Sequence, residues 1–244
     1  MITLSPPDAI LLVRKNLDEI GVNESVMYVD EANDNRSLDE VISKNLPEAV
    51  NAVHQTAPVV LLEGKDYTFS ASDAPAGESI SYGDDERDED YCVLHFSLAN
   101  DAAFLRLVAF QAADSPIVVT DIIPQASAEG RKQLNRHIRG RYDRPRLVQG
   151  QGRHTAPSFD YYSLLPSTIE AKTPIQCVGR LSFIKEQFYS APTMVDNVLT
   201  YPNYDISRRL RQNIIEYLTA MVLETYGDER AQAWYTKAAS FPTL

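Results

Sequence analysis

Apolar residues recur at helical spacing near both ends of the chain and at strand spacing between them. Ile10, Val13, Leu17 and Ile20 fall on one face of a 3.6-residue period, with Arg14, Lys15, Asp18 and Glu19 on the other. Ser5-Pro6-Pro7-Asp8 supplies the start signal: a serine N-cap, proline where the first helical N–H has no partner, and an acid three residues after the cap. Gly21 supplies the stop. A second helix is predicted from Ser37-Leu38-Asp39-Glu40, a capping box in which Ser37 and Glu40 satisfy each other's backbone donors. Leu38, Val41, Ile42, Leu46, Ala49, Val50 and Val53 continue its period, with Pro47 placed either to kink this helix or to open another after Asn45. Near the other end Ile206, Leu210, Ile214, Tyr217, Leu218, Met221, Val222 and Thr225 make one apolar stripe that Gly227 stops. Asp228 then caps a short helix through Ala239 with a small and aromatic face of Ala231, Trp234, Tyr235 and Ala238.

Between these ends the period changes to that of strands. Residues 59–62, 91–98, 104–110, 117–123, 146–149, 159–165 and 175–184 are short, apolar or alternating runs separated by proline, glycine and polar residues. One short helix is predicted over 127–139. Parallel strands would need a crossover helix between each pair, so the block reads as mainly antiparallel. The expectation is an α+β chain: a helical bundle from residues 1–57 and 203–244, and a β-rich insertion over 58–202. The bundle follows from the single apolar face on each helix, which needs a partner that only the other chain end supplies.

Composition agrees with a folded chain. At 244 residues with 44% hydrophobic and 23% charged residues, there is ample material for a core without metal or disulfide staples. No apolar run reaches bilayer length, and the start lacks the basic and apolar regions of a signal peptide, so synthesis in a cytoplasm without membrane association is expected. Cys92 and Cys177 stand far apart and read as buried small hydrophobes.

Charge is unevenly spread. From Arg131 to Arg153 eight bases stand against Asp143 alone, about +7 in a chain of net charge −11, which leaves about −18 elsewhere. The acidic extreme is Asp84-Asp85-Glu86-Arg87-Asp88-Glu89-Asp90, and residues 76–90 are predicted mobile in an isolated subunit because the acids repel and offer little apolar surface. Arginine's planar fork suits phosphates and carboxylates alike, so Arg131, Arg136, Arg139, Arg141, Arg144 and Arg146 admit three readings. They can be a solvated face, a protein contact with Asp84, Asp85, Glu86, Asp88, Glu89 and Asp90 of a neighbour, or a nucleic-acid surface. The last is weakened by Tyr142 being the only aromatic in the run.

Catalytic signals are few. There is no phosphate loop, HExxH, GxSxG or EF-hand pattern, and Gly150-Gln-Gly152 is only half of a dinucleotide fingerprint, with Thr155 where the third glycine belongs. His54, His95, His137 and His154 lack metal-ligand spacing. The best enzyme case joins His137 and His154 to Asp143 and Asp160 in a basic, phosphate-holding pocket, but nothing fixes their geometry. The expectation is no catalysis, no cofactor and no metal.

The layout resembles the connector or adaptor proteins that form rings between portal and tail in tailed bacteriophages, with the ring proteins of crAss-like phages of gut Bacteroidetes as the nearest kind. The resemblance rests on the amphipathic opening after Met1-Ile-Thr-Leu and on the ending Ile214-Ile-Glu-Tyr-Leu-Thr-Ala-Met-Val-Leu-Glu-Thr-Tyr-Gly-Asp-Glu-Arg-Ala-Gln-Ala-Trp-Tyr235. It covers residues 1–57 and 203–244. It implies packing of the two chain ends as a bundle, a homo-oligomeric ring, as a dodecamer, and the portal and other neck or tail proteins as partners. Packaged DNA would pass through the channel without sequence-specific contact, and the protein would reside in the virion after synthesis in the bacterial host.

Overall fold

The computed structural model describes residues 1–19, 37–69, 79–84, 91–97, 104–112, 116–135, 138, 140–141, 143–150, 158–164, 179–195 and 198–242. β1 (Ile2–Leu4) leads into α1 (Pro6–Glu19) and α2 (Leu38–Thr56). A 3₁₀ turn at Val59–Leu61 precedes β2 (Lys65–Phe69), β3 (Ser79–Asp84), β4 (Tyr91–Ser97), β5 (Phe104–Ala112) and β6 (Ile122–Pro124). Then come α3 (Ala128–Lys132), β7 (Arg146–Gly150), β8 (Ser158–Leu164) and β9 (Gly179–Lys185). The chain closes with β10 (Thr193–Val195), β11 (Val198–Thr200), β12 (Tyr204–Ile206), a second 3₁₀ turn at Arg208–Leu210, α4 (Arg211–Thr225) and α5 (Ala231–Ala238). This is an α+β chain with helices toward both ends and sheets in the middle. It divides into two units, residues 1–63 with 186–244, and residues 64–185. Among the described residues no helix is long and apolar enough to cross a membrane.

The helical unit is built by apolar faces that have no other partner. α4 packs on α1, α2 and α5, and α1 on α2. Val13, Leu17, Ile42, Leu46, Val50, Ile214, Leu218 and Val222 are buried at their centre, each large aliphatic side chain contributing roughly 1.5–3 kcal/mol. The capping box forms: Ser37 Oγ accepts from Glu40 N at 3.4 Å, and Glu40 Oε2 accepts from Ser37 N at 3.0 Å. Pro47 lies inside one continuous helix. Helix directions follow from side-chain pairs. Arg14 of α1 bonds Asp39 at the start of α2, Asn16 bonds Thr219 in the third turn of α4, and His54 at the end of α2 accepts from Ser207 just before α4. α1 and α4 therefore run in one direction and α2 against them.

Gly227 ends α4 with φ 70°. Asp228 N donates to Leu223 O and Gly227 N to Glu224 O, the paired bonds of a glycine helix stop. Gly21, expected to stop α1, lies outside the described residues. Ile206 does not begin the last long helix. It pairs with Ile2, and Tyr204 with Leu4, in an antiparallel β1–β12 ribbon. Tyr204 and Ile206 alternate at period two, a signal masked by the four-residue spacing of Ile206 and Leu210. Residues 59–62 are likewise no strand but a 3₁₀ turn, with Leu61 and Leu62 buried and Val60 exposed.

The units divide at 63/64 and 185/186, whereas periodicity placed the boundaries at 57/58 and 202/203. The flanking pieces belong to the helical unit because polar groups bind them there. Asn51 on α2 donates to Gln187 O and accepts from Gln187 N, both at 2.8 Å, and Ser207 Oγ accepts from Glu63 N at 2.8 Å. Amide and hydroxyl contacts of this kind leave no trace in hydrophobic spacing.

The β unit holds a three-stranded antiparallel sheet in the order β2-β9-β5 and a five-stranded sheet in the order β3-β4-β8-β7-β6. Phe104 and Phe110 of β5 meet Phe159 and Tyr161 of β8 at centroid distances of 5.6 and 4.9 Å, so the two sheets face each other across an aromatic core. β6 and β7 are parallel, the exception to an otherwise antiparallel block. The run 117–123 yields only β6 and a bridge between Val119 and Phe110. The helix expected over 127–139 is the five-residue α3.

Candidate functional site

The basic stretch is displayed on the β unit by α3 and the turn before β7. Ser127 caps α3, accepting from Gly130 N at 3.0 Å. Gly130 is buried, and a Cβ there would lie 2.9 Å from Gln125 Cα, so the short helix presses directly on the backbone after β6. The buried Gln133 side chain accepts from Gly140 N at 2.9 Å, which ties the end of α3 to the residue beside Arg141. Arg141 and Arg144 then close a turn through paired backbone bonds of 3.2 and 2.9 Å, with Asp143 inside it.

These anchors fix backbone while leaving charge outside. Arg131, Arg141 and Arg144 are exposed, and none makes an ion pair with a described residue. Lys132 is exposed too, 3.2 Å from Glu129. Arg146 differs from the rest: it is half-buried in β7 with Asp121 3.7 Å away, which removes it from a free basic face. Arg136, Arg139, His137 and His154 lie outside the described residues. Of the residues in the phosphate-pocket reading, Asp143 is exposed and Asp160 stands in β8.

Asp84 is the last residue of β3, opposite Cys92 of β4. Of residues 76–90, expected to be mobile, Ser79–Asp84 form a strand paired with β4, and 76–78 and 85–90 lie outside the described residues. Backbone pairing with β4 provides the hydrogen bonds that side-chain apolarity could not. Asp85, Glu86, Asp88, Glu89 and Asp90 join β3 to β4 and lie outside the described residues.

Among the described residues, Ser207 meets His54 in the helical unit. The geometry is structural: His54 Nε2 accepts the backbone N–H of Ser207 at 3.1 Å, while Ser207 Oγ accepts from Glu63 N. Both side chains are fully buried. Burial holds the His54 pKa down at about 4, so the imidazole is neutral and acts as an acceptor. Glu63 in turn pairs with the Met1 ammonium, which pulls its carboxyl below the usual range. Among the described residues no three His, Cys, Asp or Glu side chains gather as metal ligands would.

Sequence periodicity did not single out a second exposed set in the helical unit. Arg208, Arg209 and Arg211 flank the start of α4, and Phe188 and Tyr189 are 59% and 52% exposed. The available signal is three arginines in four positions, which periodicity reads as the polar side of an amphipathic helix. Compared with models of protein families and with curated proteins, the chain matches none.

Proposed function

We propose that the protein is a non-enzymatic virion component, a homo-oligomeric connector ring that joins portal to tail around the genome channel. The observation that carries this reading is the way both chain ends build one helical unit, with α1, α2, α4 and α5 packed together and the β unit inserted between them. That is the arrangement implied by the resemblance to phage ring proteins. In a ring, each subunit meets the next through two different patches. The exposed Arg131, Arg141 and Arg144 and the acids at residues 84–90 suit such a pairing, and the acidic balance of the chain suits a wall past which DNA slides without sticking.

The competing reading makes the same arginines a nucleic-acid surface. Replacing Arg139, Arg141 and Arg144 by alanine separates the two. The connector reading expects a folded monomer that no longer forms rings or docks on the portal. A salt-sensitive shift of labelled DNA or RNA that weakens in this variant, with assembly unchanged, would favour nucleic acid instead. The coding neighbourhood gives an independent check: portal, terminase and tail genes are expected beside this one, and a metabolic operon would sink the proposal.

A further inference from the structure

The helical unit carries different charges at its two ends. Because α1 and α4 run together and α2 runs against them, one end gathers the starts of α1 and α4 with the last turn of α2. Arg208, Arg209 and Arg211 are exposed at this end, with no acid in the first turn of α4. Asp8 is exposed at this end too, Arg209 Nη1 donates to Val60 O at 3.3 Å, and Glu63, paired with the Met1 ammonium, also lies in the field of Arg208, so the surplus of positive charge here comes mainly from Arg208 and Arg211. The opposite end gathers the last turns of α1 and α4 and the first turn of α2. Asp18, Glu40, Glu224 and Glu229 are exposed there, with no base in the last turn of α1 or α4, and Arg230 is held by Asp228. Asp8 and Glu40 follow the usual rule of acids at helix starts. At α4 the rule is reversed at both ends, so its charges add to the helix dipole. Charges so placed are relieved when a neighbour of opposite sign covers them.

A second observation sits at the arginine end. Asn51 clamps Gln187 by two hydrogen bonds. Phe188 and Tyr189, directly after this anchor, are more than half exposed. Asn51 and His54 are one turn apart on α2 and bind Gln187 and Ser207 respectively, which puts the aromatics and the arginines about 5 Å apart in anchor position along that helix. Aromatics with arginine are enriched at the centre of protein interfaces, and the lysine at this end, Lys237, is held by Glu216 at 3.1 Å.

We propose that the helical unit docks head to tail on a second copy of this chain, the arginine and aromatic end of one against the acidic end of the next. Opposite ends make a heterologous contact, the kind whose repetition closes a ring. The proposal rests on the ring reading and adds to it a contact that lies wholly in the helical unit.

Two reversed proteins test it, one with Arg208→Glu, Arg209→Glu and Arg211→Glu, the other with Asp18→Arg and Glu229→Arg. Each alone should keep the native far-UV circular dichroism but self-associate roughly tenfold or more weakly in sedimentation. Mixed one to one, they should assemble again, because each then offers the other complementary ends. Assembly of either protein alone at native strength, or no rescue on mixing, overturns the contact while leaving the ring reading intact. A native chain that stays monomeric at every concentration overturns both. If labelled DNA binds the native chain and not the arginine variant, with assembly untouched, this end belongs to nucleic acid and the proposal is wrong. Should a reversed protein not fold, benzoylphenylalanine at position 188 of the otherwise native chain provides the second route. In a mixture of heavy and light copies its cross-links are expected at residues 37–40 or 222–230 of the other copy, and cross-links elsewhere overturn the proposal.

Discussion

At the scale of single residues, His54 couples the helical unit to pH. Its neutral ring accepts the buried Ser207 N–H, and protonation would set a positive charge in an apolar site with that acceptor lost. The folded pKa is about 4 against 6.5 for the exposed group. Between those values the unfolded chain binds a proton that the folded chain does not, so stability is full above pH 6.5 and falls as pH drops toward 4. The loss from this one group amounts to about 3 kcal/mol. His54→Gln keeps an acceptor but no titrating ring. Urea unfolding at several pH values should show a shallower acid slope in this variant, and an unchanged slope would remove His54 from the account. The histidine was visible in the sequence only as one of four isolated imidazoles. Its partner Ser207 is 153 positions away, and long-range polar contacts of that kind have no periodic signature.

At the scale of elements, the clearest predictions came from residues whose effect is local. Ser37 and Glu40 act within one turn, so the capping box could be read directly, and the same holds for Gly227 at the end of α4. Ser37→Ala should cost the helical unit about 1 kcal/mol. Trp234 in α5 is the only tryptophan and is buried in this unit, so its fluorescence reports the unfolding midpoint. A midpoint unchanged within error would mean that the cap contributes nothing measurable. Elements set by pairing were harder to read. β1 has three residues and finds its partner β12 about two hundred positions later, and β3 is polar and acidic, held by β4 through backbone bonds. The parallel β6–β7 pair is short for the same reason, since α3 between them is a single tight turn fixed by Gly130 and Gln133. The basic run was legible as charge, but its division into exposed Arg131, Arg141 and Arg144 and half-buried Arg146 required the sheet.

At the scale of the whole molecule, two features converge on assembly. An acidic chain carries dense basic and acidic segments in its β unit, and its helical unit has an arginine and aromatic end opposite an acidic one. Arg131, Arg141 and Arg144 in the one and Asp18 and Glu229 in the other remain exposed, and both features suit contacts that repeat from copy to copy. The α+β class followed from periodicity because apolar faces dominate the packing of both units. Function does not follow from fold alone, and the decisive quantity is the number of copies. Native mass spectrometry of the purified protein, alone and with the portal protein that the proposal expects as its partner, measures that number. A single discrete closed assembly of 27.3 kDa subunits, twelve by the resemblance to phage rings, is expected to form and to add intact to the portal. A monomer at every concentration that leaves the portal unshifted would contradict it.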